Sequence, residues 1–155
     1  MYKNILVPLD GSDLAECVLP HVESLARGCQ AKAVTFIRVV EPYYMFPSGE
    51  VIFSDKEIQR MEAESVGRAQ DYINKVASRN KYEGVDLKAK VIEGRTVDSL
   101  LEYVEKNGVD LVVIATHGRS GISRWVWGSV ADRILRAVCV PVLMVRSPGC
   151  GTGVK

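Results

Sequence analysis

Short apolar runs of strand length alternate along this chain with longer segments whose apolar residues recur every three or four positions. Lys3 to Leu9, with Ile5-Leu6-Val7, and Ala33 to Val40, with Val34, Phe36, Ile37, Val39 and Val40, predict two strands. Between them Ala15, Val18, Leu19, Val22, Leu25 and Ala26 fall on one helical face. Asp13 and Glu16 resemble a capping box, Pro20 predicts a kink and Gly28 a stop. A second helix is expected over 55–79, on the face of Ile58, Met61, Ala69, Tyr72, Ile73 and Val76. Val97, Leu100, Leu101 and Val104 mark a third. Leu111 to Ala115 is wholly apolar, as in a strand buried on both faces of a parallel sheet, and Val140 to Val145 repeats that character.

The resulting order, βαβαβαβαβ, predicts an α/β fold, because parallel neighbours need long right-handed crossovers that cover both faces of the sheet with helices. Leu87, Ala89 and Val91 interleave with Lys88 and Lys90, the pattern of an edge strand with one wet face. A doubly wound five-stranded parallel sheet in the order 3-2-1-4-5 satisfies this. Its topological switch lies between the first and fourth strands, and ligands of such sheets bind beyond the carboxyl ends there. Residues 1–146 are expected to form the domain and 147–155 a flexible tail.

Composition narrows the classes of function. The 155 residues are 47% hydrophobic and 25% charged, ordinary for a compact fold, and the formal charge of +1 gives no global attraction to nucleic acid or an anionic membrane. No run approaches a membrane span and the first residues reach the apolar strand without a signal-peptide core, so the expected compartment is the cytoplasm. Cys17, Cys29, Cys139 and Cys150 lack metal-binding or disulfide-framework spacing. The first three are expected to be small buried residues.

The polar chemistry gathers where the switch point is expected. The first strand ends in Pro8-Leu9-Asp10-Gly11-Ser12, and the fourth runs into Thr116-His117-Gly118-Arg119-Ser120-Gly121. Farther on, Gly128-Ser129-Val130-Ala131-Asp132 opens a helix with Val130, Ala131, Ile134, Leu135 and Val138 on its buried face and Ser129 with Asp132 as a capping box. A glycine before a helix start lets an anion reach the free N–H groups, which the helix dipole also favours. From Ala115 to Arg146 the net charge is +4, with five arginines against Asp132. Arg133, Arg136 and Arg146 read as solvated surface. Arg119 and Arg124, in the loop, are better placed for a ligand.

On these residues the sequence resembles the universal stress protein family over positions 1 to about 146. The family's nucleotide-binding members carry a glycine, two residues, a second glycine, nine residues and then Gly-Ser or Gly-Thr. Here Gly118 and Gly128-Ser129 stand at that spacing, while Ala115 takes the place of the first glycine. The opening Pro-Leu-Asp-Gly-Ser also matches the family's first-strand signature. The resemblance implies an ATP or AMP ligand, with Mg2+ as a companion ion, and an Asp10 beside adenine or ribose. It implies that the Val39 backbone pairs with the adenine edge, and that Gly118, Gly128, Ser129 and Val130 hold phosphates. The candidate binding set is Pro8, Asp10, Ser12, Val39, Ala115, Gly118, Arg119, Gly121, Gly128, Ser129 and Val130. Residues 41–53, with Pro42, Tyr43, Tyr44, Phe46 and Pro47, read either as a cover for the nucleoside or as an apolar loop packed on a neighbour.

The reading that follows is a stress-response or regulatory protein that binds adenine nucleotide and acts through assembly or a partner contact. The alternative is a slow ATP hydrolase or phosphotransferase using Asp10 and His117. No Walker lysine, paired carboxylates or nucleophile elbow accompanies them, so any turnover is expected to be slow. A phosphoacceptor domain would want an aspartate after the third strand, which instead ends Val91-Ile92-Glu93-Gly94. A dinucleotide domain would want GxGxxG after the first strand. Finally, the apolar run Val140–Val145 lies on an expected sheet edge, and a homodimer through that strand would cover it.

Overall fold

The computed structural model describes residues 1–42, 54–116 and 129–146. Five strands, β1 (Asn4–Pro8), β2 (Ala33–Val40), β3 (Asp86–Glu93), β4 (Leu111–Ala115) and β5 (Val142–Val145), form one parallel sheet in the order β3-β2-β1-β4-β5. The helices are α1 (Leu19–Gly28), α2 (Asp55–Arg79), α3 (Thr96–Lys106) and α4 (Ser129–Ala137). The α/β architecture and strand order are those the alternating pattern predicts. The expected tail, 147–155, lies outside the described residues, as does 43–53 of the connection after β2.

Strand alternation sorts the core into two layers. Ile5, Val7, Val34 and Phe36 face α1 and α2, where Val22, Ile73 and Val76 meet them. Leu6, Ile37, Val112 and Ile114 face Leu100, Val104 and Ile134 of the other two helices. On β3 the alternation is half wet: Leu87, Ala89 and Val91 are half-buried, while Lys88 and Lys90 are exposed at the sheet edge. Among the described residues no helix is long and apolar enough to cross a membrane.

Local geometry departs from the sequence expectations in six places. The first helical segment is a 3-10 turn, Ala15–Val18, followed by α1 with Pro20 in its first turn. Proline lacks the N–H and crowds the carbonyl four residues back, so the α-helix starts at it instead of running through it with a kink. Asp13 and Glu16 make no capping box. Ser12 Oγ accepts from Ala15 N–H at 3.1 Å, and Glu16 pairs with Arg79 of α2. Ser129 is the first residue of α4 and Asp132 accepts from Arg136 Nε at 3.0 and 3.1 Å, which spends the carboxylate away from a capping box. Leu135, expected on the buried face, is 46% exposed, because Ala131 and Ile134 already span the width of the contact. Cys139 is exposed and Cys17 and Cys29 are only half-buried, since all three lie at or beyond the ends of helices. In addition β5 begins at Val142, two residues later than expected; Pro141 contributes its carbonyl to Val112 N–H but is not part of the strand.

At the carboxyl edge, the exit of β2 is fastened to the start of α3. Gly94 N–H donates to Val40 O at 3.0 Å, and the Thr96 hydroxyl and N–H both donate to Glu41 Oε1, at 2.6 and 2.9 Å. A carboxylate at a helix start also meets the positive end of the helix dipole. The Thr96 hydroxyl, then its N–H, hold the Glu41 carboxyl below its ordinary 4.5, with Arg95 adding to the effect. Glu41→Gln should therefore cost about 1 kcal/mol in urea unfolding at neutral pH. Because the folded value is depressed, the difference between wild type and variant should be full above pH 4.5 and close as pH falls through the lowered folded value. A difference that persisted unchanged in acid would show that the carboxylate charge is not what fastens this exit.

Candidate functional site

The central strand stops short of its neighbours, and the reason lies in its last residue. Leu9 N–H donates to Ile37 O at 2.9 Å, so odd residues of β1 turn their main-chain groups toward β2 and even residues toward β4. Pro8 therefore faces β4, where it has no N–H to donate. The β1–β4 pairing accordingly ends at Leu6↔Val112 while β4 continues to Ala115. On the other side β2 continues to Val40. A crevice opens over the end of β1, at the switch point between the two halves of the sheet.

Main-chain groups from both flanks address this crevice. Ile37 O faces β1, whereas Val40 O, accepting from Gly94, faces β3, so alternation turns the N–H and C=O of Val39 toward β1. There β1 has already ended, and among the described residues no backbone group takes them up. By the same alternation, Val112 and Thr116 donate to the β5 side and Ala115 faces β1. The Ala115 methyl belongs to the core layer beneath the 3-10 turn, with Val7 and Val113, so the atom that distinguishes it from glycine is absorbed by packing.

The floor of the crevice is the turn after β1. Asp10 Oδ1 accepts from Ser12 N–H and Oγ at 2.9 and 2.6 Å, and Gly11 sits between them at φ +85°, the left-handed region that glycine enters without strain. This is an Asx-type turn that leaves Asp10 Oδ2 without a hydrogen bond among the described residues. The start of α4 reaches the same edge, with Ser129 exposed and Val130 half-buried against the core; its first N–H groups have no partner within the helix. Arg133 and Arg136 are exposed, as expected of solvated surface.

Thus Pro8, Asp10, Ser12, Val39, Ala115, Ser129 and Val130 lie at one end of the sheet. Gly118, Arg119, Gly121 and Gly128, with His117 and Arg124, fall outside the described residues. Among the described residues no three of His, Cys, Asp and Glu come together as metal ligands. Two cavities lie at the opposite edge: one of about 660 Å³ bordered by Lys3, Arg27, Lys32 and Glu83, and one of about 270 Å³ between the ends of α3 and α4.

Two residues beside the turn were not signalled by motif. Arg38, the one cation within β2, is half-buried and reaches over Gly11: a Cβ on Gly11 would lie 2.6 Å from Arg38 Nη1. Its guanidinium also lies over the Tyr72 ring, with Cζ 5.4 Å from the centroid. The Tyr72 hydroxyl is buried beside the Glu16 carboxylate without reaching good hydrogen-bond geometry; burial, and then Glu16, raise its pKa. A single charged residue in a largely apolar strand was the available signal for Arg38.

Comparisons with known proteins match the fold described above. Universal stress protein MJ0531 of Methanocaldococcus jannaschii is 31% identical over 152 residues, spanning 96% of this chain and 84% of the relative. The solved structure of protein MJ0577 from the same organism superposes with a TM-score of 0.82 at 22% identity, covering 96% of this chain and 99% of that one. A universal stress protein of Arabidopsis thaliana with AMP bound superposes at 0.65 with 12% identity, covering 95% and 93% of the two chains. One solved in complex with cAMP superposes at 0.58 with 22% identity, covering 94% and 98%. With residues 1–146 matching the family as a whole, the chain belongs to the universal stress protein family.

Proposed function

We propose that this protein binds an adenine nucleotide, ATP foremost, over the end of β1, and serves in the cytoplasm as a regulatory stress-response protein whose assembly or partner contacts depend on that ligand. The observation that carries the reading is the outward-facing pair on Val39. An adenine edge offers an amino donor beside a ring-nitrogen acceptor, and one residue's C=O and N–H, both turned the same way, complement it. Asp10 Oδ2, without a hydrogen bond among the described residues, can accept from a ribose hydroxyl, and the first N–H groups of α4 suit phosphate. That relatives of this fold have been solved with AMP and with cAMP supports the same ligand class. The family resemblance implies that Gly118, Gly128, Ser129 and Val130 hold the phosphates, with Arg119 and Gly121 in the same loop and Mg2+ accompanying a triphosphate.

Mass spectrometry of small molecules released by heating the purified protein should detect adenine nucleotide. In calorimetry Ser129→Ala should weaken ATP binding by about 1 to 3 kcal/mol, through loss of a hydrogen bond to a charged group. Gly128→Val should nearly abolish binding by blocking backbone approach. Unchanged affinity in both variants would overturn the assignment.

The assembly is proposed to be a homodimer through the edge from Val140 to Val145. Val142, Leu143 and Met144 are half-buried there with no charged residue among them, whereas exposed Lys88 and Lys90 guard the opposite edge. A two-fold copy would supply an antiparallel partner strand. Light scattering of the wild type should give a dimer at micromolar concentration, and Leu143→Lys with Val145→Lys should give monomer or insoluble protein. A wild-type monomer with and without ATP would rule the dimer out.

A further inference from the structure

Arg38 is held in a place that motif and fold do not explain. Its neighbours along β2 are apolar, and among the described residues it makes no ion pair. Instead its guanidinium occupies the space over Gly11 that any side chain at that position would fill, and its other face rests on Tyr72. Tyr72 contributes its ring here and not its hydroxyl, which lies buried beside the Glu16 carboxylate. Farther along α2, Arg79 pairs with Glu16 of the 3-10 turn that Ser12 caps. The segment from Asp10 to Glu16 is therefore gripped by α2 at two points, one direct and one through Arg38.

From this we infer that Arg38 is a positioning residue: pressed between Gly11 and Tyr72, it keeps the Asp10–Ser12 turn in the form that presents Asp10 to a ligand, and so couples the docking of α2 to the candidate site. The left-handed Gly11 gives the turn backbone freedom that the Asp10–Ser12 bonds alone must otherwise restrain. A guanidinium held over the ring restrains it without taking up the Asp10 carboxylate, to which Arg38 makes no hydrogen bond or ion pair among the described residues. The consequence for ligand affinity rests on the nucleotide reading above; the restraint on the turn does not.

The test is amide hydrogen exchange of Ser12, whose N–H donates to Asp10 Oδ1, on the full chain. It is measured in wild type, Arg38→Gln, Tyr72→Leu and Tyr72→Phe, with ATP affinity taken on the same samples. Arg38→Gln and Tyr72→Leu should strip Ser12 N–H of its protection while the core amides of Leu6 and Val34 keep theirs. ATP affinity should fall about tenfold, as for a site whose competent form is populated about a tenth of the time. Tyr72→Phe keeps the ring and should match wild type in both measurements. Should Arg38→Gln fail to fold, Tyr72→Leu against Tyr72→Phe decides the matter alone. Unchanged Ser12 protection, or unchanged ATP affinity in a variant that has lost it, overturns the inference. A wild type that binds no ATP, with Ser12 responding as expected, overturns the nucleotide reading and upholds the role of Arg38 in the turn.

Discussion

A proline at the last position of the central strand withholds the N–H that would have carried the β1–β4 ladder one step farther, and on that side the pairing ends at Leu6. In a parallel sheet every main-chain group along a strand is committed to a neighbour, so a ligand can be met by backbone only where a strand ends before those beside it. Here β2 and β4 both outlast β1. The paired groups of Val39, on the β2 side, therefore meet no backbone partner among the described residues.

The two flanks of this opening are fixed by different means. On the side of α3, the Glu41 carboxylate fastens the exit of β2 to Thr96 with a pair of charge-assisted bonds. On the side of α2, the turn after β1 is shaped by the Asp10–Ser12 bonds and backed by the Arg38–Tyr72 stack. Each restraint comes from residues adjoining the crevice and leaves Asp10 Oδ2 and the Val39 main chain uncommitted among the described residues. Polar groups that hold the frame are thus distinct from those that face inward.

Strand order was legible in the sequence because each strand carries the signature of its place. Leu111 to Ala115 is apolar throughout, as a strand covered on both faces must be, and Lys88 and Lys90 mark an edge. The turn at Asp10–Ser12 was legible from its place at the end of the first strand, whereas Val39 entered only through the family resemblance. Tertiary pairing was not legible. Glu16 looked like a cap and instead meets Arg79, sixty-three positions away, and Glu41 looked like loop and instead caps a helix fifty-five positions on. Such bonds leave no periodic trace, since nothing in the spacing of one partner encodes the other. Leu135 failed differently: its position satisfies the helical period, but Ala131 and Ile134 complete a contact too narrow to include it. Arg38 escaped notice because a lone cation in an apolar strand has no motif to announce it.

The Asp110 carboxylate accepts from the main-chain N–H groups of Lys3 and Asn4, at 2.6 and 3.0 Å, across separations of 107 and 106 positions. This clasp has a kinetic meaning during synthesis. The strand that ends in the middle of the sheet is the first to emerge, and one of its two flanks stays bare until more than a hundred further residues have been made. Until then the nascent chain carries an apolar strand with an open edge, Ile5-Leu6-Val7, competent to pair with any other strand it meets. Closure of β4 against β1 is a long-range step of the kind that slows folding, and the bonds to Asp110 belong to the state reached after it. The order in which this chain is made and the order in which its sheet is laid are therefore opposed at the centre, and the growing polypeptide is most vulnerable at the strand it finally buries deepest.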